Sequence, residues 1–277
     1  MTSEVMVSAQ PAGYAPAMPS LAFGERLREW RQVRSFSQAR LAEDAEVSTR
    51  HLSYLENGRS NPSREMVLVL ASALELPLRE RNDWLGAAGF APAYSETPLS
   101  ASAMAPLRDA VKRTLDHHDP HPAVAVDSSY DVQLVNGGMR KLIGAFVAEP
   151  SPEVVSNLIV ATFHPQGVRP FVVDWEPLAG LFVERLHRQA RLPGGERRAQ
   201  LLAQVLAYPG VPRSFQNPDP RRILAPFVAL HLKRGDLELR FFSFLCSVGT
   251  PIDVTAEELS LELYHPMDDA TAAWLRA

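Results

Sequence analysis

The stretch from Ser37 to Asn61, SQARLAEDAEVSTRHLSYLENGRSN, constrains this chain more than any other. It reads as two short helices joined by a tight turn. Ser37 is placed to cap the first helix, whose inward side carries Leu41 and Ala42. The AEVS segment makes the turn, and Ser48 can cap the second helix. Leu52 and Leu55 point inward from that helix, three residues apart. The opposite face carries Thr49, Arg50, Ser53 and Tyr54. A polar, donor-rich face near a helix N-terminus suits a DNA major groove. The bland alternative is a helical hairpin with a solvated polar face.

The pattern S-Q-x-x-L-A at 37–42, V-S at 47–48, L-E-N-G-R at 55–59 and N-P-S at 61–63 resembles the helix-turn-helix of the XRE, lambda-repressor-like family. The resemblance implies contact with double-stranded DNA through Gln38, Ser48, Thr49, Arg50, Ser53, Tyr54, Asn57 and Arg59. Gln38 can bond phosphate while bracing the recognition helix. Arg50 can take guanine bidentately, and Thr49 or Tyr54 can meet a thymine methyl or a phosphate. Asn57 and Arg59 match the phosphate-clamping end. Glu56 is expected to orient Arg50 or cap a neighbouring amide. Glu46 departs from the family, which has a small turn glycine there, so its backbone angle and its charge near phosphate both matter.

With 277 residues, two domains are the natural expectation. The net charge of −4 gives no overall basic field, so any DNA-binding charge must be local. From Ser48 to Arg64 it is: Arg50, Arg59 and Arg64 stand against Glu56 alone. A single cysteine, Cys246, rules out an intramolecular disulfide and points to a reducing cytoplasm. No apolar run reaches the length of a membrane span, and the N-terminus does not read as a signal peptide. Residues 1–19, rich in Pro, Ala and Ser, read as a disordered tail. A five-helix domain is expected over 20–90. Its first helix carries Phe23, Leu27 and Trp30, its fourth is capped by Ser63, and its fifth starts at Pro77. Residues 91–105 lack periodicity and read as a linker.

The remainder, 106–277, differs in kind. Helices are expected over Leu107–Asp116, Met139–Phe146, Glu153–Phe163, Trp175–Arg191, Glu196–Tyr208 and Ala270–Arg276. Strands are expected over Ala123–Asp127, Asp131–Val135, Phe227–Lys233, Glu238–Val248 and Leu259–Tyr264. This is an α+β domain with one antiparallel sheet covered by helices. Phe241, Phe242, Phe244 and Leu245 supply apolar groups to both sides of their strand, so both sheet faces must be covered.

The segments HPAVAVD at 121–127, Asn136, FHPQGVRP at 163–170, Trp175, AYPGVP at 207–212, LRFFS at 239–243, G-T-P-x-D-V-T at 249–255 and the terminal AAWL resemble the MmyB-like ligand-binding domain. The resemblance implies a PAS-like sensor with a five-stranded antiparallel sheet and an apolar pocket suited to a fatty-acid-like molecule. The candidate ligand-binding residues are Asn136, His164, Arg169, Trp175, Arg240, Phe242 and Phe244. Arg169 could pair with a ligand carboxylate, or equally cap a helix end or bridge to Asp174. Alternation puts Arg240 on one strand face with Phe242 and Phe244, as a half-buried cation near an apolar pocket. His164 could simply fix its own loop.

Nothing in the sequence marks catalysis or a metal. His117 and His118 read as a solvated helix end, and His164, His187, His231 and His265 show no ligand spacing. No nucleophile elbow or phosphate-binding glycine loop occurs. Cys246, on an apolar strand, reads as core. The expectation is a one-component bacterial transcription regulator, a homodimer without cofactor, responding to an apolar ligand. Two other classes stay open: an enzyme acting on that ligand under a regulatory DNA-binding domain, and a constitutive DNA-binding scaffold whose second half docks proteins.

Overall fold

The computed structural model describes residues 19–217 and 229–277. All of the expected tail but Pro19, which opens the first helix, and the first residues of the strand expected from Phe227 lie outside the described residues. The chain divides into two compact units. One ends at Leu76 and resumes over Arg81–Pro92; the other takes Pro77–Glu80 and Ala93–Ala277.

The N-terminal part holds five helices: α1 (Pro19–Val33), α2 (Gln38–Asp44), α3 (Thr49–Glu56), α4 (Arg64–Ala73) and α5 (Leu78–Ala87). Ser37, Ser48 and Ser63 each accept a backbone N–H at the start of a helix, from Arg40, His51 and Met66. The core collects Phe23, Leu27, Leu41, Leu52, Leu55, Leu70, Trp84 and Leu85, all fully buried. Gly24 lets α1 lie directly on the end of α3: a Cβ there would sit 2.5 Å from the Leu55 carbonyl.

Helix α3 ends in a reverse turn through Gly58 (φ 65°), with Arg59 N–H donating to Tyr54 and Gly58 N–H to Leu55. Helix α2 ends the same way, with Val47 N–H donating to Ala42, but the left-handed residue is Glu46 (φ 54°). Glu75 (φ 51°) repeats the arrangement after α4.

The second unit is built on one antiparallel sheet of β1 (Ala123–Val126), β2 (Val132–Val135), β3 (Leu230–Arg234), β4 (Leu237–Ser247) and β5 (Ser260–Pro266), in the order β2-β1-β5-β4-β3. Its helices are α6 (Ala105–His118), α7 (Gly137–Phe146), α8 (Pro152–Ser156), α9 (Leu158–Phe163), α10 (Trp175–Ala190), α11 (Glu196–Ala207), α12 (Val254–Glu258) and α13 (Asp269–Arg276). Pairing sets Phe241 opposite Pro266, Ser243 opposite Tyr264 and Leu245 opposite Glu262. With the two-residue period these share one face with Val124, Val126, Leu232 and Leu239. That face packs on α7 and α10. The other face, with Ala123, Ala125 and Leu261, packs on α6, Leu99, Met104 and Leu259. Both faces are covered over the middle of the sheet, but not along all of β4: Phe244 and Leu245, on opposite faces near its end, are each 55% exposed, so the expected cover of both faces fails there.

Three local departures have plain causes. The helix expected over Glu153–Phe163 is two helices, because Asn157 is extended (φ −142°). Its Oδ1 caps α9 through Ile159 and Val160 N–H, and its amide donates to Ser129 and Asp131. Helix α12 was not expected; Asp253 caps it by accepting from Thr255 N–H. The stretch read as a linker is laid against the sheet domain. Ser95 bridges to Asp253, and Leu99 and Met104 are buried.

Candidate DNA-binding face and ligand cavity

Helix α3 presents its polar face as the sequence pattern requires. Thr49 and Arg50 are exposed at its N-terminus, and Ser53 and Tyr54 follow half-exposed on the next turn. Arg50 Nε donates to the Tyr54 hydroxyl at 3.0 Å, so the guanidinium is held extended along the helix surface. At the other end Asn57 Nδ2 donates to the Ser53 carbonyl, and Asn57 Oδ1 accepts from Arg28 at 2.8 Å. Arg59 is exposed beyond the turn.

Glu56 is buried, and its partner is not Arg50. Arg31 of α1 donates to both carboxylate oxygens, at 2.5 and 3.0 Å, and Gln38 Nε2 donates to Oε2 at 2.8 Å. The expectation that Glu56 orients Arg50 is corrected: Arg50 lies on the solvent side of α3, whereas Glu56 points back to α1. Burial alone would raise the Glu56 carboxyl. The Arg31 and Gln38 hydrogen bonds, with the Arg31 and Arg28 charges, hold it below its ordinary value. With its acid neutralised from behind, the exposed face keeps its cationic character. Gln38 thus braces α3 through Glu56.

In the second unit a cavity of about 870 Å³ lies between the sheet and helices α7, α9 and α10. Met139, Leu142, Leu158, Val168, Leu178, Phe182, Leu232 and Phe241 make its walls apolar. Phe242 and Phe244 of β4 also border it, although their rings pack on His265 at the opposite face of the strand. One part is polar. Ser243 Oγ donates to Glu262 Oε1 at 2.8 Å, Tyr264 stands beside them, and Arg185 and Arg188 of α10 line the same space. Burial pushes the Glu262 carboxyl up, against the hydrogen bonds of Ser243 and Tyr264 and the charge of Arg185. Burial and the Glu262 charge raise the Tyr264 hydroxyl well above its usual range.

Five other expected ligand contacts are not brought into this cavity. Asn136 is fully buried and fully used. Its oxygen accepts from Ala123 and Met139 N–H, and its amide donates to the Leu115 and His121 carbonyls. It caps α7 and ties that helix to α6 and β1. His164 Nδ1 accepts from Gln166 N–H and packs edge-on against Tyr208, fixing its loop. Arg169 Nη1 donates to the Pro209 carbonyl at 2.6 Å, and its guanidinium lies 4.2 Å from the Trp175 ring centre. Trp175 donates to the Thr162 carbonyl. Arg240 faces outward and pairs with Glu238 at 2.5 Å.

The residues missed were Arg185, Glu262 and Tyr264. Alternation along SLELYHP places Ser260, Glu262 and Tyr264 on one face, so an inward acid was readable there. Cys246 is exposed, not core. The described part of β3 pairs with β4 only as far as Leu230 opposite Phe241, and β4 runs on well past that point.

Residues 107–277 match the MmyB-like transcription regulator ligand binding domain. That is more than half of the chain. The chain belongs to the MmyB-like transcription regulator family. Residues 22–84 of the regulator match a helix-turn-helix domain. Together the two make it a transcriptional regulator with a DNA-binding and a ligand-binding domain.

The regulator is also similar to solved structures of regulators. The restriction-modification controller C.AhdI from Aeromonas hydrophila is 35% identical, over 22% of this chain and 94% of that one, with a TM-score of 0.22. The clp gene regulator ClgR from C. glutamicum is 32% identical, over 26% and 91%, with a TM-score of 0.24. ComR from Streptococcus suis is 17% identical, over 68% and 70%, with a TM-score of 0.22. No curated protein matches the regulator. Among its described residues no helix is long and apolar enough to cross a membrane.

Proposed function

We propose that the regulator binds a specific double-stranded operator through α3 and senses an apolar, fatty-acid-like molecule in the cavity of its C-terminal domain. The observation that carries this reading is the cavity itself. Its walls are apolar, and its polar groups converge at Arg185, Ser243, Glu262 and Tyr264. That combination suits a ligand with a long apolar body and one polar head. At the other site, Thr49 and Arg50 read base edges, with Ser53 and Tyr54 beside them. Ser48, Gln38, Asn57 and Arg59 hold the phosphates on either side.

The protein acts by binding and release, not by turnover. A ligand that prefers one arrangement of the DNA-binding heads shifts operator affinity by its differential affinity for that arrangement. One reading helix per chain offers few base contacts. The working form is therefore a cytoplasmic homodimer on a pseudo-palindrome with half-sites about 34–36 Å apart, or a multiple of that turn. Native mass spectrometry of the purified protein tests the ligand. A co-purified lipid acid supports the reading. A cavity that stays empty against a series of lipid acids overturns it. Footprinting tests assembly: protection of a single half-site by one chain overturns the dimer.

A further inference from the structure

We propose that His118, His121 and His265 form a binding site for one divalent transition-metal ion, zinc foremost, on the outer side of the C-terminal sheet. The three come from separate places. His118 ends α6, His121 sits in the turn that follows, and His265 lies on β5. One nitrogen from each can be chosen so that all three lie within 4.8 Å of one another. The ring centres are 4.8 Å apart for His118 and His265, 5.3 Å for His118 and His121, and 5.9 Å for His121 and His265. A tetrahedral zinc site holds its ligand atoms about 3.3 Å apart. Closing the set therefore needs the ligand nitrogens to draw together from within 4.8 Å to about 3.3 Å, a change that side-chain rotations can supply.

The orientation of His118 is the decisive detail. Its Nε2 lies 2.9 Å from the Tyr264 carbonyl oxygen. A carbonyl only accepts, so Nε2 carries the proton and Nδ1 presents a lone pair. A ring nitrogen held this way by a backbone carbonyl is the usual outer support of a metal-bound histidine. His265 is fixed as well, stacked on Phe242 at 5.4 Å and met edge-on by Phe244. Three imidazoles with no thiolate or carboxylate suit zinc and its neighbours, not calcium or magnesium. Asp119 is not a fourth ligand, since its carboxylate accepts from Gly137 and Gly138 N–H. The fourth position falls to water or a small anion; Arg276, whose charge acts on His121, favours the anion.

The test uses the full chain, free of any histidine tag and stripped with chelator. Calorimetric titration with zinc alone should show one ion per chain. His121→Ala and His265→Ala should each weaken it by about 100-fold or more, beyond what an outer partner is worth. His117→Ala, one residue from the cluster, should leave it intact. Cobalt titration should give the visible bands of nitrogen and oxygen ligands without a thiolate charge-transfer band, which separates this site from Cys246. Thermal unfolding in metal-free buffer shows which variants fold; if His265→Ala does not, His121→Ala in its surface turn carries the test. No binding up to about 1 mM zinc, binding that survives in His121→Ala, or a thiolate band would each overturn the site.

Discussion

Arg31 of α1 and Glu56 of α3 meet at 2.5 Å, with the Glu56 side chain almost completely buried. Gln38 of α2 bonds the same carboxylate, so one acid ties three helices together. Arg31→Met leaves that acid buried without its main partner, which should cost about 3–5 kcal/mol. The pH dependence follows from the depressed Glu56 carboxyl. Its contribution is present above the ordinary value of 4.5 and is lost as pH falls through the folded-state value. Urea denaturation at neutral and acid pH, followed on the helix-turn-helix domain, should show the acid-side loss in the wild type. In Arg31→Met it should be much smaller. An equal acid-side slope in both proteins would remove the pair from this role.

Glu46 and Glu75 occupy the same left-handed position after α2 and α4. A side chain there costs about 1 kcal/mol, which glycine avoids. Glu46→Gly and Glu75→Gly should therefore each raise stability by several tenths to about 1 kcal/mol. Glu46 also puts an exposed acid in the turn leading into α3. Only Glu46→Gly should tighten operator binding, and the gain should shrink as salt is raised. Fluorescence anisotropy on labelled operator checks this; equal tightening by both variants would show that stability, not charge, was responsible.

Arg50 is held along α3 by the Tyr54 hydroxyl. Arg50→Ala should cost about 1–3 kcal/mol at the operator and spare nonspecific DNA. Tyr54→Phe keeps the ring but frees the guanidinium, so it should cost less than Arg50→Ala and at the same base position. Equal losses for Arg50→Ala on operator and random DNA would make Arg50 a phosphate contact.

The helix-turn-helix was legible because its information is local. Caps, inward leucines and the turn at Gly58 lie within one short stretch. The sheet was legible for a related reason: strand alternation survives in any register. What the sequence withheld depends on register and distance. Arg240 shares a strand face with Phe242, but which face looks into the cavity is set by the pairing with β5. Arg169 sits where a ligand anchor was plausible, yet Trp175 and the Pro209 carbonyl occupy it. Glu56 was read against its nearest cation on the same helix, while its partner lies 25 residues upstream. His118 and His265 meet only because β5 returns beside α6, and no spacing rule spans that separation.

Glu262 is a buried acid whose carboxyl is raised above its ordinary value of 4.5. A raised acid gives its full stabilisation below that value and loses it as pH climbs through the folded-state value. The domain should therefore lose stability as pH rises above 4.5 through the folded-state value, and Glu262→Gln should flatten that loss. Gln keeps an oxygen to accept from Ser243. Thermal midpoints across this range check it; an unchanged slope in the variant would place the titration elsewhere.

Arg185 and Arg188 border the cavity on α10, and Arg240 lies outside it, paired to Glu238. A carboxylate head entering beside Glu262 meets an acid that burial keeps from ionising readily, with Arg185 close enough to act on it. A charge-assisted hydrogen bond from Arg185 or Arg188 is worth about 1.5–3 kcal/mol. Removing that cation should weaken a lipid acid by about 10- to 100-fold. The matching alcohol lacks the charge and should lose far less. Calorimetry of Arg185→Ala and Arg188→Ala against the acid and the alcohol should separate the two ligands in at least one variant. Arg240→Ala, as the outward control, should bind both like the wild type. If neither α10 variant distinguishes acid from alcohol, the ligand's head is not an anion. If Arg240→Ala alone distinguishes them, the ligand does not sit with its head against α10.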